Sequence, residues 1–176
     1  MEAAGSALGS WESFYVIVGS SAGALTGLMF VVITLVADAK VKRSIKEINA
    51  FASPAVVHLT AVLLISAVLS APWPTLHQAS IGVGLGALAG LVYMVIVLRR
   101  LLQPTTYTKV MEDWVWHGAL PCVAYIVLLF AHMGLRHDEG WGLYAVGGAA
   151  LLLLSVGIHN AWDTVVYMVV SQGKDQ

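Results

Sequence analysis

Residues 14–37 read FYVIVGSSAGALTGLMFVVITLVA, and this run of 24 residues without Asp, Glu, Lys or Arg decides the fold class. A helix needs about 20 apolar residues to cross roughly 30 Å of hydrocarbon, because each residue adds about 1.5 Å. Four further uncharged runs follow, at residues 54–71, 79–98, 118–135 and 142–161, the last with an apolar continuation to residue 170. The sequence predicts an all-α, polytopic membrane helix bundle with five transmembrane helices.

The composition agrees with this class. Hydrophobic residues make up 59% of the 176 residues and charged residues only 11%, whereas soluble domains average about 25% charged residues. No linker rich in Ser, Pro or charge separates the apolar runs, so residues 1–176 are predicted to form a single transmembrane domain. The net charge of −1 gives no indication of a nucleic-acid partner, and the predicted partner is the lipid bilayer. Cys122 is the only cysteine, so no intramolecular disulfide can form.

Lysine and arginine fall almost entirely in alternate connections, an asymmetry that orients membrane helices during insertion. Only Arg136 lies on the side of the N-terminus; the other eight basic residues are Lys40, Lys42, Arg43, Lys46, Arg99, Arg100, Lys109 and Lys174. All six tryptophans also fall at the predicted interfaces, where indole rings are favoured. The sequence therefore predicts a multi-pass protein of the cell membrane with its N-terminus outside and its C-terminus in the cytoplasm.

The two cytoplasmic connections are predicted to form short interfacial helices, because their apolar residues recur at helical spacing beside charged ones. These apolar residues are Val41, Ile45, Ile48 and Ala52 in the first connection, and Tyr107, Val110, Met111 and Trp114 in the second. Ser53 and Pro54, a capping residue followed by proline, predict the start of the second span.

Glycine recurs at every fourth position in the first and third spans. This spacing places the glycines of each span on one helix face, where another helix can approach closely. The glycines are Gly19, Gly23 and Gly27 in the first span and Gly82, Gly86 and Gly90 in the third. We predict that both faces are helix contacts, either within one subunit or between subunits. Further small residues favour a central position for the first span.

A set of polar and titratable residues falls at one depth, near the cytoplasmic ends of the spans. The set consists of Thr34, Asp38, His58, His117, His159, Asn160 and Asp163. His159 and Asp163 are four residues apart and share a helix face. Two interpretations within one subunit are open: headgroups, water and helix caps satisfy these groups at the interface, or the groups line an ion path inside the bundle. A third is that they form contacts between subunits.

No HExxH, Walker or GxGxxG motif occurs in the chain, so an enzyme is not predicted, and no cofactor is required by the sequence. Two alternatives remain open. Haem between His58 and His159 would need both imidazoles at matching depth. A metal-dependent membrane enzyme would need several groups to converge on the cytoplasmic side: Glu112, Asp113, His117, His159 and Asp163.

Residues 21–30, SAGALTGLMF, resemble the opening span of small uncharacterised bacterial integral membrane proteins, in which an Ala/Gly-rich run leads into Thr-Gly-Leu-x-Phe. The resemblance implies a bacterial source and a location in the inner membrane. It implies no activity and no site residues.

These observations lead to two functional hypotheses of different classes. The first is a homo-oligomeric channel or transporter-like protein for small ions, in which the cytoplasmic-side His/Asp group lines or gates the path. The second is a non-catalytic accessory or scaffold subunit that packs against other membrane protein chains and binds a cofactor or lipid. The glycine faces would serve either use.

Overall fold

The computed structural model describes residues 2–38, 45–102, 111–137 and 139–172, and side chains over 8–34, 54–102, 111–137 and 139–166. Over these ranges the chain is helical, with no strand. The helix at Met111–Trp114 continues through one π-helical turn into the helix at Leu120–Arg136, so these elements form one continuous helical segment. The elements are α1 (Glu2–Asp38), α2 (Ile45–Ser70), α3 (Leu76–Leu102), α4 (Met111–Trp114), the π turn (Val115–Ala119), α5 (Leu120–Arg136) and α6 (Trp141–Gln172).

Four of the described stretches are long and apolar enough to cross a membrane: Leu8–Thr34, Leu76–Leu102, Met111–Arg136 and Trp141–Val166. The apolar part of α2, Pro54–Ser70, is shorter. The predicted class, an all-helical protein with membrane-spanning helices, is therefore confirmed at this level. The final helix is continuous as far as Gln172, and its 32 residues give a length of about 48 Å, well above the thickness of the hydrocarbon.

Helix α2 lies at the centre of the bundle. It packs against α1, α3 and α6, while α5 closes the other side by packing against α3 and α6. The core between them is apolar, with Leu59, Leu128 and Leu153 fully buried. Helix α1 contacts mainly α2, so the central position predicted for the first span is wrong. Its outer face carries exposed large apolar residues such as Leu28 and Phe30, which suit lipid rather than protein neighbours.

The periodic glycines differ in what they contact. A β-carbon at Gly19 would lie 2.7 Å from Cβ of Ser66, and one at Gly82 would lie 2.7 Å from Cγ1 of Val68, so α1 and α3 both approach α2 closely at these positions. A β-carbon at Gly90 would overlap the ring of Tyr125. Gly23 and Gly86 allow ordinary contacts with leucine and isoleucine side chains, and Gly27 faces open space. Most of the pattern therefore serves packing inside one subunit.

The predicted helix boundaries need two corrections. Helix α2 begins at Ile45, so Pro54 lies inside it rather than at its first turn, and residues 45–53 extend the span instead of forming a separate surface helix. Met111 and Trp114 likewise belong to a helix that runs on into α5. The rest of the two predicted surface helices, with Val41, Tyr107 and Val110, lies outside the described residues. Proline removes only its own N–H bond, a loss that membrane helices tolerate.

The π turn has a local cause in the sequence. The backbone N–H of Leu120 donates to the carbonyl of Val115, five residues back. Pro121 follows directly, and in an α-helix its ring would crowd the carbonyl of His117. A wider turn relieves this clash, and π turns of this kind are frequent at functional sites. His117 lies within the turn, so its direction is set by this local geometry.

We expect Gly157→Ala to destabilise the bundle, because the new β-carbon would lie 2.7 Å from Cδ2 and 2.8 Å from Cγ of Leu59. Overpacking of this kind costs about 1–3 kcal/mol. Gly148→Ala is the matched control, since Gly148 lies on the same helix and faces open space. It should preserve or raise the unfolding temperature, because alanine is the better helix former. Equal unfolding temperatures for the two variants in detergent would contradict the packing of α2 on α6.

Candidate functional site

A histidine is fully buried near the middle of the bundle and pairs with a tyrosine. His58 on α2 has no exposed surface, and its Nδ1 lies 3.0 Å from the hydroxyl of Tyr125 on α5, which is also fully buried. A phenol hydroxyl can donate or accept, so the pair is satisfied with the ring in either tautomer. Nε2 of His58 has no hydrogen-bond partner among the described protein atoms. A buried polar atom without a hydrogen bond lowers the stability of the fold, and such an atom inside a membrane bundle marks its residue as a candidate for function.

Two residues of α3 shape the environment of this pair. Gly90 leaves the space that the Tyr125 ring occupies, so the hydroxyl can reach His58. Tyr93, one helical turn further along α3, presents its ring edge-on to His58 with the centroids 6.1 Å apart. The Tyr93 hydroxyl is buried and also has no hydrogen-bond partner among the described atoms. Helices α2, α3 and α5 thus meet around one imidazole.

A second histidine lies nearer the end of the bundle and faces carboxylates. The ring of His159 on α6 stacks on Trp116 of the π turn, with centroids 3.8 Å apart and planes 17° from parallel. Its Nε2 lies 3.1 Å from Oδ2 of Asp163, an ion-pair distance, although the angle is not that of a hydrogen bond. Glu112 on α4 lies 4.0 Å from the same nitrogen. The shared helix face predicted for His159 and Asp163 is therefore confirmed.

His117, in the π turn, interacts electrostatically with both groups: with His58, and with His159 and Asp163. Exposure falls along the series: the side chain of Glu112 is 69% exposed, that of Asp163 49%, that of His159 23% and that of His58 none. Two imidazoles, those of His159 and His117, therefore lie in a series that leads from exposed carboxylates at one end of the bundle to the fully buried His58.

Asn160 adds a second buried polar group at this level. Its side chain has no exposed surface, and neither Oδ1 nor Nδ2 has a hydrogen-bond partner among the described atoms. Its backbone carbonyl accepts a hydrogen bond from the Thr164 hydroxyl at 2.7 Å. The interpretation inside the bundle therefore fits His58 and Asn160, which are fully buried, whereas the interfacial interpretation fits Asp163, which is half exposed.

The remaining members of the predicted polar set stand apart. The Thr34 hydroxyl donates to the carbonyl of Phe30 in its own helix, at an exposed position. The side chain of Asp38 lies outside the described residues. Sequence reasoning missed Tyr93, Tyr125 and Trp116 as site residues. A signal was present for the tyrosines, because a phenol hydroxyl within an apolar run needs a partner inside the bundle.

The cofactor alternatives gain nothing from this geometry. Nε2 of His159, the atom that would bind haem iron opposite His58, lies 3.1 Å from Oδ2 of Asp163. In the part of the chain that the structure describes, no group of three or more His, Cys, Asp or Glu side chains is arranged to hold a metal ion. The convergence of Glu112, Asp113, His117, His159 and Asp163 into a metal site is therefore not observed.

Comparisons with known proteins find no family model, no curated protein and no solved structure that matches the chain. The resemblance of the first span to bacterial membrane proteins therefore stays an expectation.

We expect Tyr125→Phe to lower the stability of the bundle, because it leaves Nδ1 of His58 without a partner inside an apolar core. A buried polar group that loses its hydrogen bond costs about 1–3 kcal/mol. Tyr144→Phe is the control, since Tyr144 is exposed and the phenylalanine keeps the aromatic contact with Trp11. Thermal unfolding in the same detergent measures both variants. Equal unfolding temperatures would show that the His58–Tyr125 hydrogen bond contributes nothing to the fold.

Proposed function

We propose that the protein is a membrane channel or transporter-like protein for small ions, with the His/Asp cluster lining or gating its path. The observation that carries the proposal is the graded series of titratable side chains, from the exposed carboxylates of Glu112 and Asp163 through His159 and His117 to the buried His58. A structural role alone would not require an imidazole with a free nitrogen in an apolar interior. Ionisable groups inside membrane helices characteristically mark ion paths.

The position of the cluster within the fold supports the same proposal. His58 is fully buried on α2, which packs against α1, α3 and α6, so the inner end of the cluster lies inside the bundle rather than on its lipid-facing surface. Each of α2, α3, α5, α6 and the π turn contributes at least one of the polar side chains. Relative motion of any of these helices would change the path.

The proposed topology has five spans, namely the four long apolar stretches and the shorter α2. The N-terminus lies outside and the C-terminus lies in the cytoplasm, and the membrane is a bacterial inner membrane. Arg99 and Arg100 lie at the end of α3 that is nearest the cluster, and Arg136 lies at the far end of α5. Together with the basic residues of the two longer connections, this distribution follows the positive-inside preference. The cluster would then open toward the cytoplasm.

The first test is ion flux into liposomes that contain the purified full chain. We expect His58→Gln, His159→Gln and Asp163→Asn each to reduce the flux, because each removes a titratable group from the path. His77→Gln is the control, since His77 is an exposed histidine in the first turn of α3, at the opposite end of that helix from Arg99 and Arg100. Wild-type flux in all three cluster variants would refute a role for the cluster in permeation.

We also propose that the protein is a homo-oligomer, with the free part of the α1 glycine face as the contact. Gly27 is exposed and faces open space, and the hydroxyl of the adjacent Thr26 already donates to the carbonyl of Ala22. A second helix could therefore approach this face without leaving a polar group unpaired.

We expect Gly27→Leu to lower the subunit number, measured as the native mass of the particle in nanodiscs. Gly148→Leu is the matched control, since Gly148 is an exposed glycine with open space on a different helix. A wild-type particle that is monomeric would contradict the oligomer. Copurification with stoichiometric amounts of other chains would instead favour the accessory-subunit function.

A further inference from the structure

We infer that the ion taken up at this site is the proton, and that His58 is its innermost acceptor, reached from Glu112 and Asp163 through His159 and His117. The inference rests on the proposed function, and it names the species that the path carries. It follows from which chemical groups surround the buried histidine and which do not.

The first step concerns metal cations. Such ions exchange their water for several oxygen ligands, usually carboxylates or rings of backbone carbonyls. Among the described side chains every carboxylate is exposed or half-buried, and none lies beside His58. The oxygens near this depth are the hydroxyls of Tyr93 and Tyr125 and the amide of Asn160, and the Tyr125 hydroxyl is engaged with His58. These groups do not form a coordination shell.

The second step concerns anions. An anion inside the bundle would need a cationic or strongly donating site. Arg100 interacts electrostatically with Tyr93, but its own side chain is exposed at the end of α3. Apart from the histidines and Arg100, the described charged groups at the cluster are the acidic Glu112, Asp113 and Asp163. Acidic residues at the mouth of the cluster attract cations and repel anions.

The third step concerns the proton itself. A proton needs a series of groups that can both donate and accept, and neutral imidazole, phenol and water all have this property. Nε2 of His58 and the amide of Asn160 are fully buried polar groups without hydrogen-bond partners among the described protein atoms, so they suit water molecules that bridge them to the next group. The stacked Trp116 would stabilise the positive charge on His159 when its ring is protonated.

The exchange at His58 balances without any heavy-atom bond changing. Uptake of one proton at Nε2 converts the neutral ring to imidazolium. Loss of the Nδ1 proton to the Tyr125 oxygen, as the tyrosine passes its own hydroxyl proton to water, returns the ring to neutral in its Nε2–H tautomer. The Nδ1–H tautomer must be restored by reorientation of the ring before the next proton is taken up. One proton enters the group and one leaves it. The groups that face His58 during this exchange are Tyr93 on α3, Tyr125 on α5 and His117 in the π turn.

The experiment uses proteoliposomes of the full chain with a pH-sensitive dye inside and a potassium diffusion potential set by valinomycin. Parallel vesicles without valinomycin measure the uptake of radioactive sodium and rubidium. We expect wild-type vesicles to acidify faster than protein-free vesicles, with sodium and rubidium uptake at background. His58→Gln should return acidification to the protein-free rate, whereas His77→Gln should leave it unchanged. In heavy water the wild-type rate should fall.

The outcomes separate the two proposals. Uptake of sodium or rubidium that depends on His58, without acidification, would overturn the proton assignment and leave the ion path in place. No flux of any tested ion would overturn both. If His58→Gln does not yield a folded particle, His117→Gln and His159→Gln test the same series, and acidification at the wild-type rate in both would overturn the inference.

Discussion

The packing of the Tyr125 ring against Gly90 is the contact on which the interior of this bundle depends. Tyr125 comes from α5, the space it fills comes from α3, and its hydroxyl bonds His58 on α2. One side chain therefore fixes the spacing of three helices and the orientation of the most deeply buried titratable group. In hydrocarbon the hydrophobic effect does not drive helices together, so close fit and internal hydrogen bonds must do so. This contact supplies both.

Much of the fold could be predicted from composition and run length, because crossing a bilayer imposes a minimum length of apolar helix. The boundaries were less predictable. Pro54 reads as the start of a helix, yet α2 begins at Ile45, since the backbone can continue through a proline at the cost of one hydrogen bond. The first span looks central from its small residues, but position in a bundle depends on which faces other helices cover, and a single helix sequence does not contain that information.

The site was likewise predictable in part from the sequence. The predicted topology placed His58, His117 and His159 toward the same end of the bundle, and the four-residue spacing placed Asp163 beside His159. The rotation of each helix could not be read in this way. The π turn shifts the register between α4 and α5 by about one residue, so no regular helix drawn from the sequence would stack Trp116 on His159. The tyrosines entered the site through contacts between helices distant in sequence, for which spacing carries no signal.

The overlap between a Gly90 side chain and the Tyr125 ring has a consequence for how this protein can change over time. The two positions share a single volume, so a larger residue at 90 requires a smaller one at 125, and the smaller residue would lose the phenol that His58 needs. Substitution at one position is therefore conditional on the other. Related chains that keep a histidine at the place of His58 should keep the glycine and the tyrosine together, and chains that lose one should lose all three.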